Sequence, residues 1–385
     1  MSVKTTVQTV AYQGTEGRAI RFVEPIIHLL EPDKYPITIL LTKAEGRLKS
    51  AGNVKVEILE DELPQMFDVL SADHVSGAGT LIVTNYTYFV PNMVVRVNKA
   101  ELFRVLTANS TTLTVEHVGE TSARAASLGD SVEILGEAYE EGSPIGSILC
   151  TVKTNPYNYM DITRTQFGWT GRAMESDVYG QSDPEYDRYK KMIEHCRTIE
   201  KKLIMSERTN ATGGVHSLAL TTMRGILAWL SSNNTDCSGT LTEDLMDDIC
   251  LKGFRYGSKK KILVACGHMI NAINGFAKQR LKASTLDTRY GLKLEQYINA
   301  FGTLDLIYHP ELANSDIDDT SGLGGTGIIL DIGNMNMWHM PNRYMVLHTN
   351  VETPGDDLKK EEFLSDCTIT LALEKEHVKI TGAAK

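Results

Sequence analysis

The chain has 385 residues and a formal net charge of −10, and 42% of its residues are hydrophobic and 23% charged. This length allows two or three domains with a substantial core, while the acidic balance argues against a surface built mainly to hold phosphates. The six cysteines include no CxxC pair, which favours buried thiols in a reducing compartment over a disulfide framework or a zinc site. The N-terminal segment lacks an apolar core and no run approaches about 18 apolar residues, so we expect neither a signal peptide nor a membrane span.

The N-terminal region is predicted to be an arm. Residues 1–22 are polar, rich in Thr and Gln and aperiodic, so alone they cannot bury enough apolar surface to become ordered. They are either disordered or ordered against a neighbouring chain. Residues 23–43 are more apolar but are interrupted by three prolines, which predicts short segments and bends with Ile37–Leu41 buried.

A β-rich insert is predicted to follow. Asn53–Asp61 alternates apolar and charged residues, which predicts an exposed strand leading into an acidic cluster, or alternatively an edge strand protected by its charge. Residues 75–138 carry short β-rich runs separated by turn residues, with a bend at Asn109-Ser110, which predicts a small barrel or sandwich. Ile145–Lys153 and Met160–Thr170 are predicted strands. The insert is therefore expected inside a hairpin with legs near residues 53–62 and 145–168.

The longest helical signal in the chain is Ser182–Met205. Ser182 and Glu185 fit a capping box, and Pro184 stands in the first turn, where its missing N–H costs nothing. One narrow apolar stripe is predicted on an otherwise charged surface, formed by Tyr189, Met192, Ile193, Cys196, Ile199 and Leu203. This pattern predicts a helix that rests one side on a sheet; an ordinary amphipathic surface helix is the alternative.

The C-terminal half is predicted to alternate between strands and helices. Asn210–Gly214 is a predicted loop, Thr242–Lys252 a capped helix and His268–Leu281 a second helix. Lys293–Asn299 and Thr303–His309 are expected to pair across the Gly302 turn. Other predicted strands are Lys261–Cys266, Gly327–Ile332, Tyr344–His348 and two within Cys367–Ile380.

The sequence predicts no catalytic, metal or cofactor site. Gly322–Gly327 matches GxGxxG but precedes a strand-like run, so a flexible loop is the better interpretation. His195 is expected to be a surface or half-buried histidine. Lys259–Lys261 is expected to be a solvated loop, and the paired acids Asp247-Asp248, Asp318-Asp319 and Glu361-Glu362 are expected to lie on solvated faces or loops.

The order of these elements resembles a known family. The segments that carry the resemblance are LLEPDKYPITILL (29–41), VKVEILEDELP (54–64), EAYEEGSP (137–144), MDITRTQFGWTGRA (160–173), DRYKKMIEHCRTIEKKLI (187–204), TTMRGILAWL (221–230) and CTITLALEKEHVKITG (367–382). The chain is similar to the major capsid proteins of tailed bacteriophages with the HK97 fold, and within them to the subgroup that includes the phage SU10 capsid protein. The family's Arg-Thr-Met-Gly-Gly-Ile stretch differs here, because Arg224 follows Met223.

The resemblance implies an α+β fold with an N-terminal arm, an extended β-hairpin loop that carries a small β-barrel insert, a long spine helix, and peripheral and axial domains. The expected boundaries are 1–45 for the arm and its lead-in, 46–74 with 139–170 for the extended loop, 75–138 for the insert, 171–235 with 340–385 for the peripheral domain including the spine helix at 183–206, and 236–339 for the axial domain.

The resemblance also implies a structural role rather than an enzymatic one. The chain would assemble with itself through hexamers and pentamers into an icosahedral head in the host cytoplasm and enclose double-stranded DNA without sequence-specific binding. Portal and scaffolding proteins, and a decoration protein, are the further expected partners; no cofactor, membrane or covalent cross-link is expected. Candidate intersubunit contacts are Glu57, Glu60, Asp61, Glu62, Arg164, Arg188, Lys191 and Arg197.

Two other classes of protein are compatible with the sequence. An encapsulin-like compartment would have the same fold but enclose a cargo enzyme, and genes for a terminase, portal or scaffold nearby would argue against it. An α/β enzyme with a β accessory domain would be a monomer or small oligomer with a pocket of converging polar groups.

Overall fold

The structure is a computed structural model that describes residues 35–99, 101–119, 124–143, 146, 149–176, 183–212, 218–276, 281–282, 288–289, 292–293, 295–312 and 325–383. The predicted arm, the predicted cap residue Ser182, the acids Asp318-Asp319 and most of the Gly322–Gly327 loop lie outside these residues. The chain divides into two compact units, one formed by Met1–Ile58 with Tyr157–Lys385 and the other by Leu59–Pro156.

The helices of the described residues are α1 (Pro36–Lys43), α2 (Gly171–Met174), α3 (Asp183–Met205), α4 (Ile226–Trp229), α5 (Glu243–Gly253) and α6 (Gly267–Phe276). The strands are β1 (Leu48–Ser50), β2 (Lys55–Glu57), β3 (Phe67–Val69), β4 (Thr80–Ile82), β5 (Met93–Val97), β6 (Glu101–Asn109), β7 (Thr112–His117), β8 (Ser131–Glu137), β9 (Tyr157–Tyr159), β10 (Asp161–Thr170), β11 (Thr209–Thr212), β12 (Ala219–Thr222), β13 (Asn234–Asp236), β14 (Lys260–Ala265), β15 (Leu281–Lys282), β16 (Thr288–Arg289), β17 (Leu292–Lys293), β18 (Glu295–Ile298), β19 (Thr303–Tyr308), β20 (Gly327–Leu330), β21 (Met335–His339), β22 (Val346–Thr349), β23 (Leu358–Leu371) and β24 (Val378–Thr381).

The smaller unit, Leu59–Pro156, is built around a closed β-barrel. Its strands run in the order β3-β8-β5-β6-β7-β4. The first and last strands of this order join, because Leu70 bridges Val83 and the Ser71 N–H donates to the Ile82 carbonyl at 2.9 Å. Alternate residues of each strand point inward and fill the interior, as the burial of Phe103 illustrates. The predicted barrel is thus confirmed, and the predicted bend lies between β6 and β7.

The larger unit contains a five-stranded sheet beneath α3. Its order is β1-β21-β23-β10, and β22 pairs with the N-terminal half of β23. The 14-residue β23 is the central strand of this sheet. It pairs with β10 along ten residues on one side and with β21 and β22 on the other. The predicted long helix is confirmed as α3, which lies across β10 and β23.

A second sheet of the larger unit has the order β13-β24-β20-β14-β19-β18-β15. The predicted pairing of two strands across Gly302 is confirmed by antiparallel β18 and β19. The capped helix is confirmed as α5, because the Thr242 hydroxyl accepts from the Leu245 N–H at 3.3 Å. Buried apolar side chains from both sheets, α3 and α5 form one continuous core.

Several predicted elements were wrong in extent or type. The strand predicted at Asn53–Asp61 is only β2, since its pairing with β9 lasts three residues. The described part of Ile145–Lys153 contains no strand, and the single bridge between Glu60 and Thr154 lies just beyond its end. The loop predicted at Asn210–Gly214 begins inside the β11–β12 hairpin. Leu281, predicted as helical, lies in β15.

Candidate assembly site: the long helix and its surroundings

The N-terminal half of α3 is held on the sheet by polar contacts. The Trp169 indole N–H donates to the Asp187 carboxylate at 2.7 Å. Arg188 is the next residue of α3. Its guanidinium donates two hydrogen bonds of 2.6 Å to Glu361, whose side chain is fully buried. These charge-assisted bonds lower the pKa of the Glu361 carboxyl below its ordinary value. The prediction that Glu361-Glu362 lies on a solvated face was wrong, because both side chains are buried in β23.

In the middle of α3, His195 is buried between two hydroxyl groups. Its Nδ1 lies 2.9 Å from Thr165 Oγ1 and its Nε2 lies 2.8 Å from Ser365 Oγ. Ser365 Oγ already accepts from the Met345 N–H at 3.0 Å, so its proton is available to donate to Nε2. Burial lowers the pKa of His195 to about 4, so the ring is neutral. The expectation of a surface or half-buried histidine was wrong, because β10 and β23 enclose the ring.

The C-terminal half of α3 combines an apolar face with one buried carboxylate. Ile199, Leu203 and Ile204 enter the common core. Glu200 accepts hydrogen bonds of 2.8 Å from the backbone amides of Ile37 and Thr38 at the start of α1. The N-terminus of α1 has no side-chain cap of its own, so the carboxylate of Glu200 supplies the acceptors that its orphan N–H groups need.

Glu200 also connects α3 to the second sheet. Its Oε1 lies 2.9 Å from His309 Nε2, directly after β19, and both residues are buried. Sequence analysis missed this contact, because the three participating segments are more than 100 residues apart. The signal that the sequence contains is the position of Glu200, which lies on the same face of the helix as the apolar stripe, between Cys196 and Leu203.

The predicted apolar stripe of α3 is buried only in part. Cys196, Ile199 and Leu203 are buried, whereas Tyr189 is 54% exposed and Met192 44% exposed. The exposed pair borders a groove of about 460 Å³ between α1, α3 and residues 344–345. The stripe therefore has a core-facing end and a solvent-facing end.

The candidate contact residues lie in several separate places. Glu57 pairs with Lys55 on β2, and the Asp61 carboxylate accepts from the Thr151 hydroxyl at 3.1 Å in the smaller unit. Glu62 is exposed and Glu60 half-buried. Arg164 is exposed on the face of β10 opposite to the one that contacts α3, since its neighbours at 163 and 165 bond to the helix.

The remaining candidates lie on α3. Lys191 pairs with Glu194 at 2.6 Å, and Arg197 is half-buried and lines the groove. Arg188 is engaged by Glu361, and a third of its side chain stays exposed. The eight candidates divide among β2 and the loop after it, β10 and α3.

Lys261 is another polar residue that is buried in the larger unit. The side chain is 1% exposed, and its ammonium donates to the carbonyls of Gly253, Tyr256 and Glu376 at 2.6–2.8 Å. Burial lowers its pKa. The predicted solvated loop was therefore wrong at this residue, because Lys261 belongs to β14.

Within the described residues, no three His, Cys, Asp or Glu side chains are grouped so that they could hold a metal ion. Among the helices that the structure describes, none is both long and apolar enough to cross a membrane.

Solved structures of capsid proteins have a fold similar to that of this chain. The cyanophage A-1(L) capsid matches with a TM-score of 0.51 and 10% identity over 97% of this chain and 99% of that chain. The capsid of the native GTA particle matches with a TM-score of 0.50 and 9% identity over 98% and 99% of the two chains. The holo-SrpI encapsulin complex from Synechococcus elongatus PCC 7942 matches with a TM-score of 0.45 and 10% identity over 60% and 78%.

The fold is that of the HK97-type capsid proteins, as predicted. A model of the SU10 major capsid protein family matches residues 3–384, so the chain belongs to that family. The chain is a structural protein of the capsid shell and is located in the virion. A search of curated proteins gave no match.

Proposed function

We propose that copies of this chain form hexameric and pentameric capsomers that close into an icosahedral phage head around double-stranded DNA. The family match over residues 3–384 carries this proposal. The role is structural rather than catalytic. Shell closure needs contacts between different surfaces of identical chains, since such contacts form rings when the rotation closes. Assembly would take place in the host cytoplasm.

The extended loop is proposed to make one set of these contacts. It would comprise residues 46–74 and 139–170, carry the insert at 75–138, and cross onto an adjacent subunit. Residues 236–339 would form the axial domain at the capsomer centre, and 171–235 with 340–385 the peripheral domain. Glu57, Glu60, Asp61, Glu62, Arg164, Lys191 and Arg197 are proposed contact residues, and Arg188 would contribute through the part of its side chain that stays exposed.

The distribution of charge bears on the other proposed partners. Residues 59–156 contain 13 acidic and 5 basic side chains, so this unit carries −8 of the total −10. The rest of the chain is close to neutral. We propose that a decoration protein binding the insert presents a basic surface, because like charges repel across an interface. Portal and scaffolding proteins complete the proposed set.

The experiment is expression of the chain, alone and with the genes that neighbour it, followed by size-exclusion chromatography and negative-stain electron microscopy. Closed shells or capsomer rings are expected. A chain that stays monomeric under both conditions would contradict the proposal. Nuclease-protected DNA in purified virion heads, with this chain as the main protein by mass spectrometry, distinguishes a phage head from an encapsulin-like compartment with a protein cargo.

A further inference from the structure

The outer surface of the β-barrel carries a row of apolar side chains. Phe67 and Val69 lie on β3, Ile82 lies on β4 and Leu135 lies on β8. Each of the four is 39–53% exposed. Because successive residues of a strand point to opposite faces, these side chains point outward, whereas Leu70 beside Val69 fills the interior.

Strand pairing makes these four positions neighbours. On one side of β3, the register with β8 places Leu135 diagonal to Phe67. On the other side, where β3 joins β4 and closes the barrel, Ile82 is diagonal to Val69. Diagonal neighbours on one face of a sheet lie within reach of large side chains. The row therefore runs continuously across three strands.

Polar side chains border this row on both sides. Next to β4, the outward residues of β7 are Thr112, Thr114 and Glu116. Next to β8, Arg96 of β5 forms an ion pair with Glu133. Single exposed apolar residues are common on soluble proteins, whereas a continuous group of them marks an interaction surface. The row is thus an apolar strip within a solvated barrel surface.

The distribution of charge indicates the chemistry of the occupant. Residues 59–156 carry −8 of the total −10, which leaves −2 for the rest of the chain. Ion pairs inside the barrel's unit do not change its net charge, since each pair combines one charge of either sign. Two such units would repel each other, and the larger unit has no net positive charge to attract one. Electrostatic complementarity therefore favours a different protein of opposite sign.

We propose that Phe67, Val69, Ile82 and Leu135, the barrel patch, form the docking surface of a second virion protein that is basic and presents an apolar contact centre. The four side chains become buried against that centre, and the acidic unit attracts the basic surface around it. This inference rests on the proposed shell function and gives the proposed decoration protein a location on the insert. Shells made from this chain alone would leave the barrel patch exposed.

Protection of a thiol at position 69 tests the docking. Val69→Cys is placed in a Cys150→Ser background, because Cys150 is the exposed native thiol of the described chain. In virions of the phage that carries the altered gene, the new thiol should react with a maleimide roughly tenfold more slowly than in shells assembled from the chain alone. In those shells it should react as fast as in free subunits.

The matched control is Thr107→Cys in the same background. Position 107 is exposed on β6, which is three strands away from β3 in either direction around the barrel. Its thiol should react at the same rate in virions, in shells and in free subunits.

The other outcomes of this experiment are decisive. Protection of the 69 thiol already in shells of the chain alone would assign the barrel patch to another copy of this chain and overturn the proposal. Full reactivity in virions would also overturn it and leave the shell function intact. Absence of particles from the wild-type chain would instead contradict the shell function, and this inference with it.

Mass spectrometry of virions identifies the occupant. The double variant Phe67→Thr with Val69→Thr removes apolar surface from the barrel patch but keeps residues that favour strands, and both side chains point away from the core. Its virions should retain about a tenth or less of the wild-type amount of one basic protein, with the amount of this chain unchanged. Thr107→Ala should alter neither. Unchanged virion composition in the double variant, or loss of an acidic protein, would overturn the proposal.

Discussion

Arg188 on α3 and Glu361 on β23 form a two-bond ion pair in which the carboxylate is fully buried and the guanidinium is a third exposed. The pair connects the first turns of the long helix to the central strand of the sheet. A buried carboxylate is costly unless it is paired and hydrogen-bonded, so loss of Arg188 would leave the Glu361 carboxylate without these two hydrogen bonds.

Arg188→Ala is expected to lower the free energy of unfolding of the unassembled subunit by about 1.5–3 kcal/mol, the range for hydrogen bonds to a charged group. The depressed pKa of Glu361 means that this stabilisation is present near neutral pH and is lost as the pH falls through the folded-state pKa. The difference between wild type and variant in denaturant unfolding should therefore shrink under acidic conditions. Lys191→Ala is the control and should cost about 0.5 kcal/mol or less, because its partner Glu194 is 40% exposed whereas Glu361 is fully buried.

His195→Gln should weaken the pH dependence of stability. The pKa of His195 is about 4 in the folded chain and about 6.5 when unfolded, so the unfolded chain binds more protons between these values. The wild-type unfolding free energy should fall by about 3 kcal/mol through this histidine as the pH drops from above 6.5 to below 4. The variant lacks that contribution at every pH.

Denaturant titrations at several pH values measure this slope. His377, also buried with a pKa lowered to about 4, offers a second test through His377→Gln. Slopes identical to wild type in both variants would contradict the assignment of buried neutral imidazoles.

Lys261→Met should lower the unfolding free energy by about 3 kcal/mol. The substitution keeps most of the side-chain volume but removes the ammonium that donates to three carbonyl groups, and two of these hydrogen bonds are buried. Each buried group left unsatisfied costs about 1–3 kcal/mol. Lys259→Met changes an exposed neighbour and should stay within about 0.5 kcal/mol of wild type. Equal denaturation midpoints for the two variants would refute the prediction.

Gly225→Ala should disturb the segment that follows α3. A Cβ at this position would lie 2.7 Å from the Ile204 carbonyl oxygen and from the Ser206 nitrogen, both backbone atoms that cannot rotate away. The expected cost is about 1–3 kcal/mol, as for other overpacked core positions. Gly275→Ala is the matched control, because a Cβ there has open space, and in α6 it should leave the stability unchanged or raise it by up to about 1 kcal/mol. Thermal unfolding compares the two.

Local patterns were sufficient for many elements of this fold. The alternation and turn residues of the insert predicted a small barrel, and the structure closes one through Leu70 and Val83. Capping residues and helical spacing predicted α5 and the long helix α3. These predictions succeed because each of these elements is determined by hydrogen bonding and burial among residues that are close together in the sequence. Strand lengths failed more often, since a strand ends where its partner ends, as β2 does with β9.

The candidate site was less predictable than the fold. The sequence identified the charged residues of α3 and of the loop after β2 as contact candidates, but it could not show that Arg188 is engaged by Glu361. Nor could it show that Leu63 is exposed while the groove beside Met192 is open. Exposure of an apolar residue depends on what the rest of the chain leaves uncovered, and a local pattern contains no such information.

The sequence by itself determined the class of element at most positions and the family to which the chain belongs. Only the tertiary structure decided which polar residues are interior. His195 meets Ser365 from a distance of 170 residues along the chain, and Glu200 meets the start of α1 from more than 160. A polar side chain is tolerated in the core only when distant segments supply its partners, so its burial is a property of the assembled fold and not of its neighbours in sequence.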